Sequence, residues 1–174
     1  MGIGLNKNGY TLIELAVVVF LLGLMVYISV PRVRDTLIKD EVKVTVRRLI
    51  GVVRELRAAA VREQVDYVLH LDLYKNAFWT YSVDMTPEKR DERKIKAFNF
   101  PEGVKIADVS QPGLEKKADG EVDIKFFKQG YGQPTIIHLA RADRYFTIVL
   151  SPFMNNIKVY EKYVDVTPDG AEKD

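Results

Sequence analysis

The sequence predicts an α+β fold in which one long N-terminal helix packs on antiparallel β-sheet. Three observations carry that expectation: an unbroken apolar run from Leu15 to Val30, an amphipathic stripe that prolongs it to about Glu63, and a switch of hydrophobic period from about 3.6 to 2 at Val65. The parts divide at 1–9, a short polar leader; 10–31, the apolar half of the helix; 32–64, its amphipathic half; 65–163, the β-domain; and 164–174, a loose acidic tail.

In the amphipathic half, Ile38, Val42, Val46, Leu49, Val53, Leu56 and Ala60 recur at three- and four-residue steps. That is the spacing of one helix face, and its expected work is packing against the protein's own sheet. Arg47, Arg48, Arg54, Arg57 and Arg62 fall on other faces, as a solvated surface or as partners for acidic loops of another subunit. A helix from Tyr10 to Glu63 would be on the order of 80 Å long. Its apolar half needs a bilayer or a bundle of like helices around it.

In the β-domain, Val65, Tyr67, Leu69, Leu71 and Leu73 alternate with Asp66, His70 and Asp72, as in a half-buried strand. Lys75-Asn76 turns into a second strand near residues 78–83. Residues 84–96 are crowded with charge and contain Pro87, which reads as a solvated loop. Further strands are expected at 104–109, 122–127, 135–139, 145–150 and 157–163, the last entered through Asn155-Asn156.

Composition narrows the function. The chain has 174 residues, room for one membrane-length helix and one modest domain. With 26 basic and 24 acidic residues the net charge is +2, which implies no obligatory nucleic-acid partner. The absence of cysteine excludes disulfides, thiol catalysis and cysteine-ligated metals. His70 and His138 read as surface or edge histidines, so no enzyme site and no cofactor is expected. Gly130-Tyr131-Gly132 lacks the third glycine and following helix of a phosphate cradle and reads as a turn. Asp165, Asp169, Glu172 and Asp174 lack the regular ligand spacing of a calcium loop, so no metal site is expected.

The most informative residue is Glu14, four residues into the apolar segment. A carboxylate at the centre of a membrane helix costs roughly 2.5–3.5 kcal/mol on insertion scales, and less towards the interface. A partner cation would offset that cost. Cleavage after Gly9 would create one, the new amine of Tyr10 on this or a neighbouring copy.

The sequence Gly9-Tyr10-Thr11-Leu12-Ile13-Glu14 resembles the processing motif of type IV pilins and type II secretion pseudopilins. The resemblance implies a prepilin peptidase/methyltransferase that cuts after Gly9 and methylates Tyr10, where the family usually has phenylalanine. It implies an assembly role for Glu14 and a helix kink at Pro31. The order of elements, with Ile124-Lys125-Phe126-Phe127-Lys128-Gln129-Gly130 and Ile157-Lys158-Val159, is similar to the H-type minor pseudopilins, the GspH and FimT-like group. That group places the long helix on two small antiparallel sheets.

The function so implied is that of a structural subunit, a minor pseudopilin of a type II secretion pseudopilus that helps export folded proteins across the outer membrane. It would begin as a single-pass protein of the bacterial inner membrane with its C-terminal domain in the periplasm, and then enter the periplasmic pseudopilus. Its partners would be membrane lipid, the inner-membrane assembly platform and other pseudopilins, with no nucleic acid. A minor type IV pilin for adhesion, motility or DNA uptake is one alternative, and a membrane-anchored binding or enzymatic domain another. The positive-inside rule opposes export of the domain, because Arg32, Arg34, Lys39 and Lys43 follow the apolar run while Lys7 alone precedes it. The processing motif outweighs that bias.

Overall fold

The computed structural model describes residues 12–153 and 157–165. Gly9, Tyr10 and the Asn155-Asn156 turn lie outside the described residues, as do the side chains of residue 26 and of residues 28–40. The chain divides into two compact units, residues 1–40 and 41–174. In the first, helix α1 begins at Leu12; its assignment runs to Glu63 and passes through position 31 without interruption. Among the described residues no helix is long and apolar enough to cross a membrane.

The second unit holds the remainder of α1 and two four-stranded sheets. Strands β1 (Tyr67–Asp72), β2 (Ala77–Ser82), β3 (Phe98–Asn99) and β5 (Glu121–Phe126) form the first, in the order β3-β2-β1-β5. Strands β4 (Lys105–Ser110), β6 (Thr135–Arg141), β7 (Arg144–Leu150) and β8 (Ile157–Tyr160) form the second, in the order β4-β6-β7-β8. Every strand pairing is antiparallel. The α+β class with two small sheets is therefore the observed one.

The helical stripe makes one core for both sheets. Val42, Val46, Leu49, Val53, Leu56 and Ala60 are buried in a single cluster with Leu69, Leu71, Ile124 and Phe126 of the first sheet and Ile137, Leu139, Ile148 and Leu150 of the second. The helix ends at Gln64, which takes a left-handed φ of 56° while its side-chain amide donates to the Val61 carbonyl at 2.8 Å. That side chain satisfies one of the orphan carbonyls of the last turn, a position more often held by glycine.

Asn76 ties the sheets together. Its φ of 49° makes the β1–β2 turn, and its side-chain oxygen accepts from the Ile106 N–H of β4 at 2.9 Å. Its carbonyl accepts from Phe100 N–H, also at 2.9 Å, so one turn residue holds three segments. Gln111 makes a second bridge, its amide donating to the Asp123 carbonyl of β5 at 3.0 Å.

Four expectations are corrected. Residues 84–96 are not a loop, because α2 runs from Pro87 to Ile95. Proline is preorganised for a first helical turn, Glu, Lys and Arg have high helix propensity, and Glu88 early with Arg93 and Lys94 late suits the helix dipole. No residue of α2 is buried, so it leaves no hydrophobic period to read. Arg90 anchors it, donating to the Met85 and Val83 carbonyls at 3.0 and 2.6 Å.

The second correction concerns β1, which is buried on both faces except at Tyr67 and His70. It is an inner strand flanked by β2 and β5, and its outer face is covered as well. Third, His138 is fully buried and His70 largely so, where surface or edge positions were expected. Fourth, Val164, expected at the head of the tail, is itself buried and packs on the outer face of the second sheet against Ile136 and Val149, while residues 166–174 lie outside the described residues.

Leu49, at 0% exposure in the middle of the shared core, gives the sharpest test of this packing. Leu49→Ala is expected to lower unfolding stability by about 2–5 kcal/mol in urea titrations followed by circular dichroism. A loss below about 1 kcal/mol would mean that the sheets do not rely on the helix.

Candidate functional site

Glu14 lies in the first turn of α1. The side chains around it, from Leu12 to Met25, are exposed on every side of the helix, with Phe20 at 68% and Met25 at 70%. A helix that is apolar all round is ordinarily buried, in a core or in lipid. An exposed apolar surface of that extent marks an interaction site. The one carboxylate it carries is therefore set at the N-terminal end of the surface expected to become dry.

The processing residues Gly9 and Tyr10 cannot be placed beside Glu14, since they lie outside the described residues. Pro31 falls within the assigned helix.

The β-domain carries two histidine–aspartate pairs that sequence reasoning missed. In the first sheet His70 stands opposite Asp123 across the β1–β5 ladder, its Nδ1 2.7 Å from Asp123 Oδ1. The imidazole stacks on Trp79 at 3.8 Å, with Nε2 3.6 Å from Glu121 Oε2. The hydrogen bond from His70 holds the Asp123 carboxyl below the ordinary carboxylate range, against the opposing effect of burial.

In the second sheet a bulge between Ile106 and Asp108 shifts the β4–β6 register so that Asp108 stands opposite His138. Without that extra residue Ala107 would take the place. His138 Nδ1 lies 2.6 Å from Asp108 Oδ1, and Nε2 lies 3.1 Å from the Val164 carbonyl. A carbonyl only accepts, so Nε2 carries a proton, and a further proton is held between Nδ1 and the carboxyl.

Tyr163 stacks on His138 at 4.0 Å and donates to Asp108 Oδ2 at 3.2 Å. The same hydroxyl accepts from Lys116 Nζ at 2.7 Å. Burial pushes Asp108 up, but the hydrogen bond and charge of His138, with Lys116 and Tyr163, hold it below the ordinary range. Thr147 completes the arrangement, donating to the Lys162 carbonyl at 2.8 Å and accepting from Val164 N–H at 3.1 Å.

Both ring nitrogens of His138 are engaged with main chain or carboxylate, so the geometry is a clamp on residues 162–164 and not a proton relay. The pairs join residues 30 and 53 positions apart, which only strand register brings together. The legible signal was Asp123 on the polar, alternating face of β5.

Arg57 departs from the solvated face expected of the helical arginines. It is half-buried, donates to the Ser151 carbonyl at 2.5 Å, and lies 6.0 Å from the Phe126 ring centre. Arg48 covers Phe98 at 4.4 Å. Gly130 has a φ of 94° and donates its N–H to the Phe127 carbonyl at 2.9 Å, so the turn spans residues 127–130 and sits ahead of Tyr131-Gly132, where Gly132 bridges to Phe126. Among the described residues no group of three or more His, Cys, Asp or Glu side chains is placed to hold a metal ion.

An apolar helical segment joined to a two-sheet α+β domain defines the class of a pilin-like fold. Among solved structures the chain is similar to the minor pseudopilin EpsH from the type II secretion system of Vibrio cholerae. One such structure matches with a TM-score of 0.54 and 11% identity, over 72% of this chain and 99% of that one. A second matches with a TM-score of 0.53 and 13% identity, over 72% and 97%. No family model matches the chain, and no curated protein matches it. At these identities the likeness establishes the fold alone, and that is the pilin-like α+β fold expected from the sequence, a long helix on two small antiparallel sheets.

The clamp has a defined pH signature. A carboxyl held below its unfolded value contributes stability that is fully present above that value, near pH 4, and lost as the pH falls through the folded one. Asp108→Asn is expected to cost roughly 1–3 kcal/mol at pH 6. Urea unfolding across a pH series should show the gap between the two proteins narrowing below about pH 4. A gap that stays constant down to pH 2 contradicts the clamp.

Proposed function

We propose that this chain is a structural subunit of a type II secretion pseudopilus, a minor pseudopilin that helps export folded proteins across the outer membrane. The observation that carries this reading is the exposed, all-round apolar segment of α1 with Glu14 in it, on a chain with the fold of EpsH. A freely soluble domain has no use for such a segment, whereas a filament built of like helices buries it.

In this reading the precursor sits in the inner membrane through the apolar run from Leu12 to Val30, with the β-domain in the periplasm. A prepilin peptidase/methyltransferase cuts after Gly9 and methylates Tyr10. The inner-membrane platform then moves the subunit out of lipid and into contact with other pseudopilins. The apolar faces of the helices repack against one another, and Glu14 meets a methylated amine of its own or a neighbouring subunit. Pro31 provides a kink between the two halves of the helix. Pairing makes the burial of the carboxylate tolerable, and an unpaired one in the dry core would be strongly unfavourable.

The role proposed is mechanical. The His70 and His138 pairs serve the rigidity of the domain that the helix carries.

Mass spectrometry of the mature protein is expected to find a chain starting at methylated Tyr10; one starting at Met1 or Gly2 would remove the processing reading. Glu14→Ala is expected to leave membrane insertion intact while lowering filament incorporation at least tenfold, read by crosslinking to other pseudopilins in sheared filaments. Unchanged incorporation would sink the pairing mechanism.

A further inference from the structure

At the end of the domain where β6 starts and β7 finishes, three aromatic rings stand together. Phe127 and Tyr131 stack with centroids 4.6 Å apart, and Tyr131 reaches Phe153 at 6.0 Å. Phe153 is 83% exposed, which the core does not require. Two grooves meet at its ring. One of about 430 Å³ runs along the helix between Arg54, Arg57, Val61 and Gly130. The other, of about 520 Å³, is lined by Phe127, Tyr131, Pro134 and Pro152 with Lys125 at its edge.

The charge of this surface is one-sided. Arg54, Arg57 and Lys125 line the grooves, and no carboxylate does so among the described residues. Gly132 lets the chain lie close against the buried Phe126, since a Cβ there would lie 3.0 Å from that ring and 3.4 Å from Arg57 Nε. The site thus combines flat apolar faces, two proline rings and fixed positive charge.

We propose that these two grooves dock an acidic protein segment bearing a proline or aromatic side chain. The ring of the partner rests on Phe153 and Tyr131, and its carboxylates meet Arg54, Arg57 and Lys125. Charge complementarity commits the occupant, because guanidinium groups pair with carboxylates through two parallel hydrogen bonds and aromatic faces favour rings and prolines.

A single-stranded nucleic acid would also offer anions and flat rings. The protein reading is favoured because three cations around short hollows do not form the continuous basic track that a phosphate backbone follows. The proposal goes beyond filament assembly and uses none of residues 9–31. Loss of filament entry in Glu14→Ala with normal docking would therefore separate the two ideas.

The test is fluorescence anisotropy on the full chain in detergent micelles. Three fluorescein-labelled probes are compared: a ten-residue peptide of aspartate, proline and tyrosine, the same peptide with asparagine for aspartate, and a ten-nucleotide oligothymidylate. The acidic peptide is expected to bind at least tenfold more tightly than either of the others. Phe153→Ala and Arg54→Glu should each weaken it at least fivefold with unchanged circular dichroism, since both side chains are exposed. Equal binding of the asparagine peptide, no saturable binding, tighter binding of oligothymidylate, or unchanged affinity in the two variants overturns the proposal.

Discussion

The β-domain depends on the helical stripe from Val42 to Ala60, which is buried in one cluster with side chains of both sheets. Each four-stranded sheet has one face that must leave water, and neither packs its inner face solely on the other. The helix lies against both, so a single set of side chains stabilises two sheets whose chains are interleaved: β4 of the second sheet precedes β5 of the first. Five buried helical side chains, Val42, Val46, Leu49, Val53 and Leu56, at roughly 1.5–3 kcal/mol each are a large fraction of a small domain's net stability, before the entropy of ordering them is counted. The polar ties at Asn76 and Gln111 then fix how the sheets meet, because a buried main-chain N–H or carbonyl without a partner would be costly.

The outer faces are closed by polar chemistry. On the first sheet His70 lies between Asp123 and the Trp79 ring, and on the second His138 lies beneath Tyr163 with Asp108 and the Val164 carbonyl as partners. His138 gives a small strand-bound domain a buried group with both ring nitrogens hydrogen-bonded and His70 gives one with a bond at Nδ1, where an apolar side chain would have none. The domain has no cysteine to do this work covalently. The same economy of position appears in α2, where Arg90, with Lys94 over the Trp79 ring, holds a helix with no buried residue.

What the sequence made legible was whatever repeats. The helix and its stripe, the end of the helix at Glu63 and the sites of seven strands all follow from a period of about 3.6 or 2, and the structure places them there. What lacked a period was not legible. Helix α2 is polar all round, β3 is two residues long, and the contacts of His70, His138 and Val164 depend on register between strands far apart in the chain. The bulge at Ala107 shows how fine that dependence is, since one residue decides which side chain faces His138. Of the site, Glu14 was legible because a charge in an apolar run breaks a pattern, and the structure surrounds it with exposed apolar side chains. The aromatic surface at Phe153 was not, because Phe127 and Tyr131 on one segment meet Phe153 on another that no local spacing relates to it.

The clamp on residues 162–164 also bears on the order in which the domain can be completed. The first sheet has all its strands once residue 126 has been made, and the helix it packs on precedes it. The second cannot give His138 its Nε2 partner until Val164 has arrived, almost forty residues later. The order of synthesis therefore has the second sheet sealed last, by the segment that lies across its outer face. Until then, the apolar side chains of Ile136 and Val149 face water, and a partner that binds bare strands would find them there.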